Sequence, residues 1–275
     1  MITCITPLVL HSCSTNREES SMTQPPRSII CVGGLDTSGG AGAAADIRIA
    51  AALRVPCQIA LAALAPQDAA GVHQVFPIPA GAFRAQLRSL NWQSAAALKL
   101  GMIYLPELLV ILLEEAPPRL SWIIDPVLSA SSGGALAVPG LEDAMEARAF
   151  PRAGLITMNR DEAAHYARDF PDLTAARELA PQLAKRFDCA VLLKGGHLEG
   201  EPVDVLAETE GRVLEFPGRR GGVACRGTGC ALSTAVACGL AAGRTLPEAV
   251  AKAKELINRA VEGAYPGPAG AITAP

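Results

Sequence analysis

Short apolar runs that end in glycine or a polar residue alternate with longer alanine- and leucine-rich stretches along most of the chain. Residues 27–34 carry Ser-Ile-Ile-Cys-Val and end in two glycines, the pattern of a strand covered on both faces. Comparable runs at 57–64, 95–100, 120–124, 154–157 and 189–193 predict further strands. The segments 203–207 and 212–216 flank Glu210-Gly211 and predict a hairpin. Helices are predicted over about 43–53, 79–90, 106–115, from Arg160 onward, 228–242 and 246–263. Repeated strand–helix units imply an α/β fold with a parallel sheet and helices on both faces. No internal repeat or linker divides the pattern, so residues 27–275 are expected to form one domain.

Residues 1–26 read differently. The stretch 16–27 is polar and proline-bearing, which predicts a disordered leader. The first ten residues lack the basic region of a secretory signal, and Pro7 breaks their apolar run. Leu10-His11-Ser12-Cys13 faintly resembles a lipoprotein cleavage box, but no basic residues precede it, and Met22 is an alternative start just ahead of the folded pattern.

Composition narrows the function. With 275 residues, half of them hydrophobic, the chain can bury a large core; aromatics are only 4%, so helix and sheet must pack closely through small residues. A net charge of −3 supplies no basic face for nucleic acid. No apolar run reaches the ~18 residues of a membrane-spanning helix. The eight cysteines are scattered without zinc-type spacing, and a chain of this size needs no disulfide framework, so a reduced, cytoplasmic setting is expected.

The candidate chemistry centres on Cys225-Arg226-Gly227-Thr228-Gly229-Cys230, which leads into an Ala/Leu/Val-rich run. Glycines just ahead of a helix turn several backbone N–H groups toward one point, and the positive helix end favours an anion there. Cys230 falls in the first turn, where a thiol pKa tends to drop. The same segment also reads as a helix cap with an inert thiol behind it. A second glycine-rich loop, 35–42, sits between the first strand and the first helix, so backbone can approach a ligand closely. It is neither GxGxxG nor a Walker A loop, because no lysine follows the glycines. Asp36, Asp125, Asn159 with Glu162, and Lys194 all fall where strands end, and the carboxyl ends of parallel strands are where ligands bind.

These segments, taken together, resemble the ribokinase-like hydroxymethylpyrimidine/phosphomethylpyrimidine kinases of thiamine biosynthesis. The resemblance is carried by residues 34–46 (GLDTSGGAGAAAD), Lys99-Leu100-Gly101-Met102, Asp125-Pro126-Val127-Leu128, Thr157-Met158-Asn159-Arg160-Asp161-Glu162-Ala163, Lys194-Gly195-Gly196-His197 and Gly227-Thr228-Gly229-Cys230, in the family's order, over about 28–263. It implies a three-layer α/β/α fold with a mainly parallel central sheet, ATP and Mg2+ as cofactors, a small pyrimidine as substrate and a homodimer. It also implies that Gly227, Thr228 and Gly229 form an anion hole, with Cys230 as the base acting on a substrate hydroxymethyl. Lys194, with Asn159 and Thr228, would face the nucleotide phosphates, and Asp125 and Glu162 the metal. Asn159 and Glu162 also have the spacing of a helix capping box. Cys225 and Cys238 read as core or loop residues.

On the ring side the resemblance implies contacts at Gly34, Asp36, Ala44, Met102 and Val127. Leu35 stands where the family has serine, Ala44 is placed opposite the family's pyrimidine-contacting glutamine, and Arg226 replaces a histidine. Loss of one such hydrogen bond is expected to cost on the order of 1 kcal/mol or to alter which ring is accepted. The ending Tyr265-Pro266-Gly267-Pro268-Ala269-Gly270 is altered too. Two further functions fit the same residues. One is a pyridoxal-type kinase, which acts on a similar hydroxymethyl on a pyridine; the other is a non-catalytic pyrimidine-binding regulator, suggested by Leu35 and Ala44.

Overall fold

The computed structural model describes residues 27–68, 70–130, 133–170, 175–195, 202–219, 225–267 and 270–272. The expected leader over 1–26, with its alternative start at Met22, lies outside the described residues, as do Gly196, His197, Pro268 and Ala269. The elements run β1 (Ser28–Asp36), α1 (Gly42–Ala52), β2 (Cys57–Ala65), the short pair β3 (Gln67–Asp68) and β4 (Gly71–Val72), β5 (Phe76–Pro77), α2 (Ala80–Ser89), β6 (Ala95–Leu100), α3 (Pro106–Glu115) and β7 (Ser121–Ile124). They continue with α4 (Leu141–Ala144), extended by a wider turn over Met145–Ala149, then β8 (Ala153–Met158), α5 (Arg160–Tyr166), α6 (Ala176–Phe187), β9 (Ala190–Leu193), β10 (Val203–Ala207) and β11 (Val213–Pro217). The last part holds β12 (Cys225–Arg226), α7 (Thr228–Ala241), α8 (Leu246–Glu262), β13 (Tyr265–Gly267) and β14 (Gly270–Ile272).

The central sheet has the order β11-β10-β9-β8-β7-β6-β1-β2-β5. Its six inner strands, β9 to β2 in that order, are parallel, and the antiparallel members β11, β10 and β5 sit at the two edges. Alternation along each strand divides the core between two faces. Ile30, Val32, Leu98, Leu100, Trp122 and Ile156 pack with residues of α2 to α6 on one side. Ile29, Cys31, Ala97, Ile123, Leu155 and Leu192 pack with α1, α7 and α8 on the other. Covering both faces requires apolar residues at successive strand positions, the continuous pattern seen in the sequence.

Two differences from the predicted elements stand out. The helix expected from Arg160 is two helices, α5 and α6. The short strands β3, β4, β5 and β12 to β14 have no counterpart among the predicted elements, since two or three residues show no hydrophobic period.

Helix α7 is buried nearly all round by small residues and lies against α8. A Cβ on Gly239 would come within 2.7 Å of Ala249 Cβ. Gly239→Val is therefore expected to destabilise the fold by about 1–3 kcal/mol through overpacking. The urea midpoint measures this, and an unchanged midpoint would show that the two helices can part freely.

Candidate active site

The parallel strands β1, β6, β7, β8 and β9 end side by side, and the loops beyond them enclose a cavity of about 190 Å3. That is below the roughly 300–1,000 Å3 of pockets for drug-sized ligands, so it suits one small substituted ring with part of a phosphate chain. Of the predicted positions it brings together Gly34, Asp36, Met102, Val127, Asp125, Asn159, Glu162, Lys194, Gly227, Thr228, Gly229 and Cys230. Ala44 is not among the lining residues. Helix α1 turns Ala43, Ala45 and Asp46 into the core and leaves Ala44 on a half-buried flank. The glutamine that does line the cavity is Gln67, on β3. No sequence signal marks it as a site residue, because it sits in a two-residue strand outside the motifs that carry the resemblance.

The two glycine loops interlock. Gly227, the residue before α7, has φ +74°, and a Cβ there would lie 2.1 Å from the Gly40 carbonyl oxygen, so only glycine allows the approach. Asp36, at the end of β1, shapes the opposite loop. Its Oδ1 accepts from the Ser38 N–H at 2.8 Å and the Ser38 hydroxyl at 2.6 Å, and its Oδ2 accepts from the Ala41 N–H at 2.9 Å. Asp36 thus organises the loop that meets Gly227.

At the phosphate side, Lys194 at the end of β9 reaches between two carboxylates. Its Nζ donates to Asp125 Oδ1 at 3.0 Å and lies 3.7 Å from Glu162 Oε2. Burial alone would lower the lysine pKa, but Asp125 and Glu162 override it and hold the ammonium firmly protonated. Burial alone would likewise raise Asp125; Lys194 and Lys99 prevail and hold that carboxyl below its usual range. Glu162 keeps the opposite balance, raised chiefly by its own burial. Asn159 and Glu162 form a complete capping box at α5, with Asn159 N–H to Glu162 Oε2 at 2.7 Å and Glu162 N–H to Asn159 Oδ1 at 2.8 Å.

Asp125 Oδ2 and Glu162 Oε1 accept no hydrogen bond from any described residue, and a Cβ on Gly229 would sit 3.7 Å from that Asp125 oxygen. No group of three or more His, Cys, Asp or Glu residues able to hold a metal occurs among the described residues. Two carboxylate oxygens without a donor among the described residues fit Mg2+, which keeps most of its water and takes few protein ligands.

Cys230 occupies the third residue of α7, with the Gly42 backbone N–H near its sulfur. The expectation of a lowered thiol pKa does not hold. Burial pushes it up to about 11, with Asp125 and Asp46 adding to the rise, against the pull of Lys99 and the Gly42 N–H. The helix end offers too little to offset removal from water. Among the other cysteines, Cys238 is buried in the core and Cys225 half-buried.

Behind Cys230 lies a cluster built on Lys99 and Asp46, two motif residues to which the sequence alone assigns no role. Lys99 Nζ donates to both Asp46 oxygens at 3.0 Å, and Thr234, one turn beyond Cys230, donates to Asp46 Oδ1 at 2.7 Å. Lys99 is 1% exposed and Asp46 not at all, yet Lys99 also lines the cavity.

A three-layer α/β/α sheet with a glycine loop and a helix N-terminus facing one another over the strand ends defines a small-molecule kinase of the ribokinase-like class. Within it, the chain belongs to the phosphomethylpyrimidine kinase family, whose profile matches residues 36–273. It is 34% identical over 252 residues to the hydroxymethylpyrimidine/phosphomethylpyrimidine kinase of Streptomyces coelicolor, covering 88% of this chain and 91% of that one. It is 32% identical to the thiamine biosynthesis bifunctional protein ThiED of Geobacter sulfurreducens over 88% of this chain, spanning half of that protein. Among solved structures, the ADP complex of Bacillus subtilis pyridoxal kinase superposes with a TM-score of 0.77 at 26% identity, over 90% of this chain and 97% of that one. No helix among the described residues is long and apolar enough to cross a membrane.

Proposed function

We propose that this protein is an ATP-dependent kinase that phosphorylates 4-amino-5-hydroxymethyl-2-methylpyrimidine, its monophosphate, or both, in the cytoplasm, as a step of thiamine biosynthesis or salvage. The observation that carries the reading is the single cavity in which an anion-binding helix start with its thiol, a Lys194–carboxylate cluster and a mostly apolar ring pocket open onto one another. Residues 27–275 act in it as one kinase domain.

The ring lies against Met102 and Val127, with Gly34 close behind Met102, and presents its hydroxymethyl to Cys230. The backbone N–H groups of Gly227, Thr228 and Gly229 receive the negative charge of the transferring phosphoryl group, which needs positioning and charge neutralisation more than covalent help. Lys194 neutralises the phosphate chain, with Asn159 and Thr228 beside it. Asp125 and Glu162 would hold Mg2+ through its waters, where the ion offsets phosphate charge. Cys230, as thiolate, takes the hydroxymethyl proton as that oxygen bonds to the terminal phosphorus of ATP and the bond to the ADP oxygen breaks, so that ADP leaves. The resemblance also implies a homodimer, which light scattering would read.

A coupled ATP assay against hydroxymethylpyrimidine, its phosphate and pyridoxal is expected to give turnover with one or both pyrimidines. Turnover with pyridoxal alone would favour the second reading, a pyridoxal-type kinase, which the likeness to the Bacillus subtilis enzyme supports. Tight pyrimidine binding without turnover would instead mark a regulator.

A further inference from the structure

We propose that Arg226 is a specificity-determining positioning residue, one that fixes the Gln67 amide so that its N–H donor faces the ring in the cavity. The inference rests on the pyrimidine-kinase reading above and goes beyond it to the way one ring is told from another.

The argument starts from what each side chain can do. Arginine has five N–H donors and no acceptor, whereas a glutamine amide has a donor end and an acceptor end that exchange places when it flips. Arg226 Nη2 donates to Gln67 Oε1, and Arg226 Nη1 donates to the Asp68 carbonyl at 2.7 Å. Asp36 Oδ2 lies 3.8 Å from Nη2 and balances the charge. These contacts join β12, the end of β1 and β3, and leave the arginine side chain only 13% exposed. Flipping the Gln67 amide would set N–H against N–H, so the oxygen must stay on the arginine.

The other end of the amide then meets the ligand. Gln67 is a cavity-lining residue, 9% exposed, and its Nε2 donates to no described residue. The ring side of the site therefore offers a fixed donor, complementary to a ring nitrogen lone pair. A ring with carbon in that position leaves a desolvated N–H without an acceptor, which weakens binding.

The test compares wild type, Arg226→Met and Gln67→Glu as full-length proteins with hydroxymethylpyrimidine and with a hydroxymethyl analogue bearing CH in place of the ring nitrogens. Wild-type turnover of the pyrimidine establishes the underlying reading; its absence would sink that reading and leave the amide question to direct binding of the two rings by calorimetry. Arg226→Met is expected to raise KM for the pyrimidine about 3–10-fold, the worth of one oriented hydrogen bond, with kcat within about twofold. It should also narrow the preference for the pyrimidine over the analogue. Gln67→Glu keeps a partner for Arg226 but presents only acceptors, so pyrimidine affinity should fall about tenfold or more while the analogue is little affected. Should Arg226→Met not fold, Arg226→Gln replaces it with the same expectation, because an amide can meet Gln67 with either end and so no longer fixes it. Wild-type ring discrimination in Gln67→Glu, or in a folded Arg226→Met or Arg226→Gln, would overturn the proposal.

Discussion

Cys230→Ala is expected to lower kcat by about two to four orders of magnitude, the usual worth of a general base, while KM for the pyrimidine and the melting temperature stay near those of wild type. The fold tolerates the change because alanine is a good helix former and the residue faces the cavity. The pH profile adds an independent reading. With the thiol of the ligand-free protein pushed up to about 11, only a minor fraction is thiolate at neutral pH. Because kcat/KM reports groups of the free enzyme, it should rise by about tenfold per pH unit between neutrality and mild alkali, and that slope should vanish in Cys230→Ala. Near-normal turnover in the variant would remove Cys230 as the base. A flat profile in wild type would instead mean that the proton leaves only after the oxygen has bonded to phosphorus.

The same residue shows what could be read from the chain. The order of strands and helices followed from apolar runs, because a sheet covered on both faces needs every strand position filled, and both the hairpin β10–β11 and the long helices α7 and α8 lie where the pattern placed them. The strand-end polar residues did converge, since parallel strands must present their carboxyl ends together. What escaped were features that depend on distance rather than spacing. Gln67 enters the cavity from a strand too short to carry a period, and Ala44 is turned away by the phase at which α1 begins at Gly42. The Cys230 pKa depended on how far the helix start sinks below the surface, which a sequence does not state. Lys99 and Asp46 stand 53 positions apart and were visible only as motif letters, until the fold closed them into a buried pair.

That pair carries the second large expectation. Lys99→Met should destabilise the protein by about 3–5 kcal/mol, because it strands Asp46 as a buried carboxylate without its cation. The hydrogen bond from Thr234 remains, but one hydroxyl cannot replace an ammonium that binds both oxygens. The double variant Lys99→Met/Asp46→Asn removes both charges while keeping an acceptor for Thr234, and should recover most of the loss. The pH dependence has a definite sign. In Lys99→Met the unpaired Asp46 has a folded-state pKa above its unfolded value, so the folded protein binds the proton more tightly. The deficit relative to wild type is then full above the folded-state pKa and shrinks as pH falls through it, the reverse of ordinary acid weakening. Urea unfolding of the single and double variants at neutral and mildly acidic pH measures both effects. If the single variant matched the double at neutral pH, the charge on Asp46 would not be what Lys99 supports, and the cluster behind Cys230 would be held by packing alone.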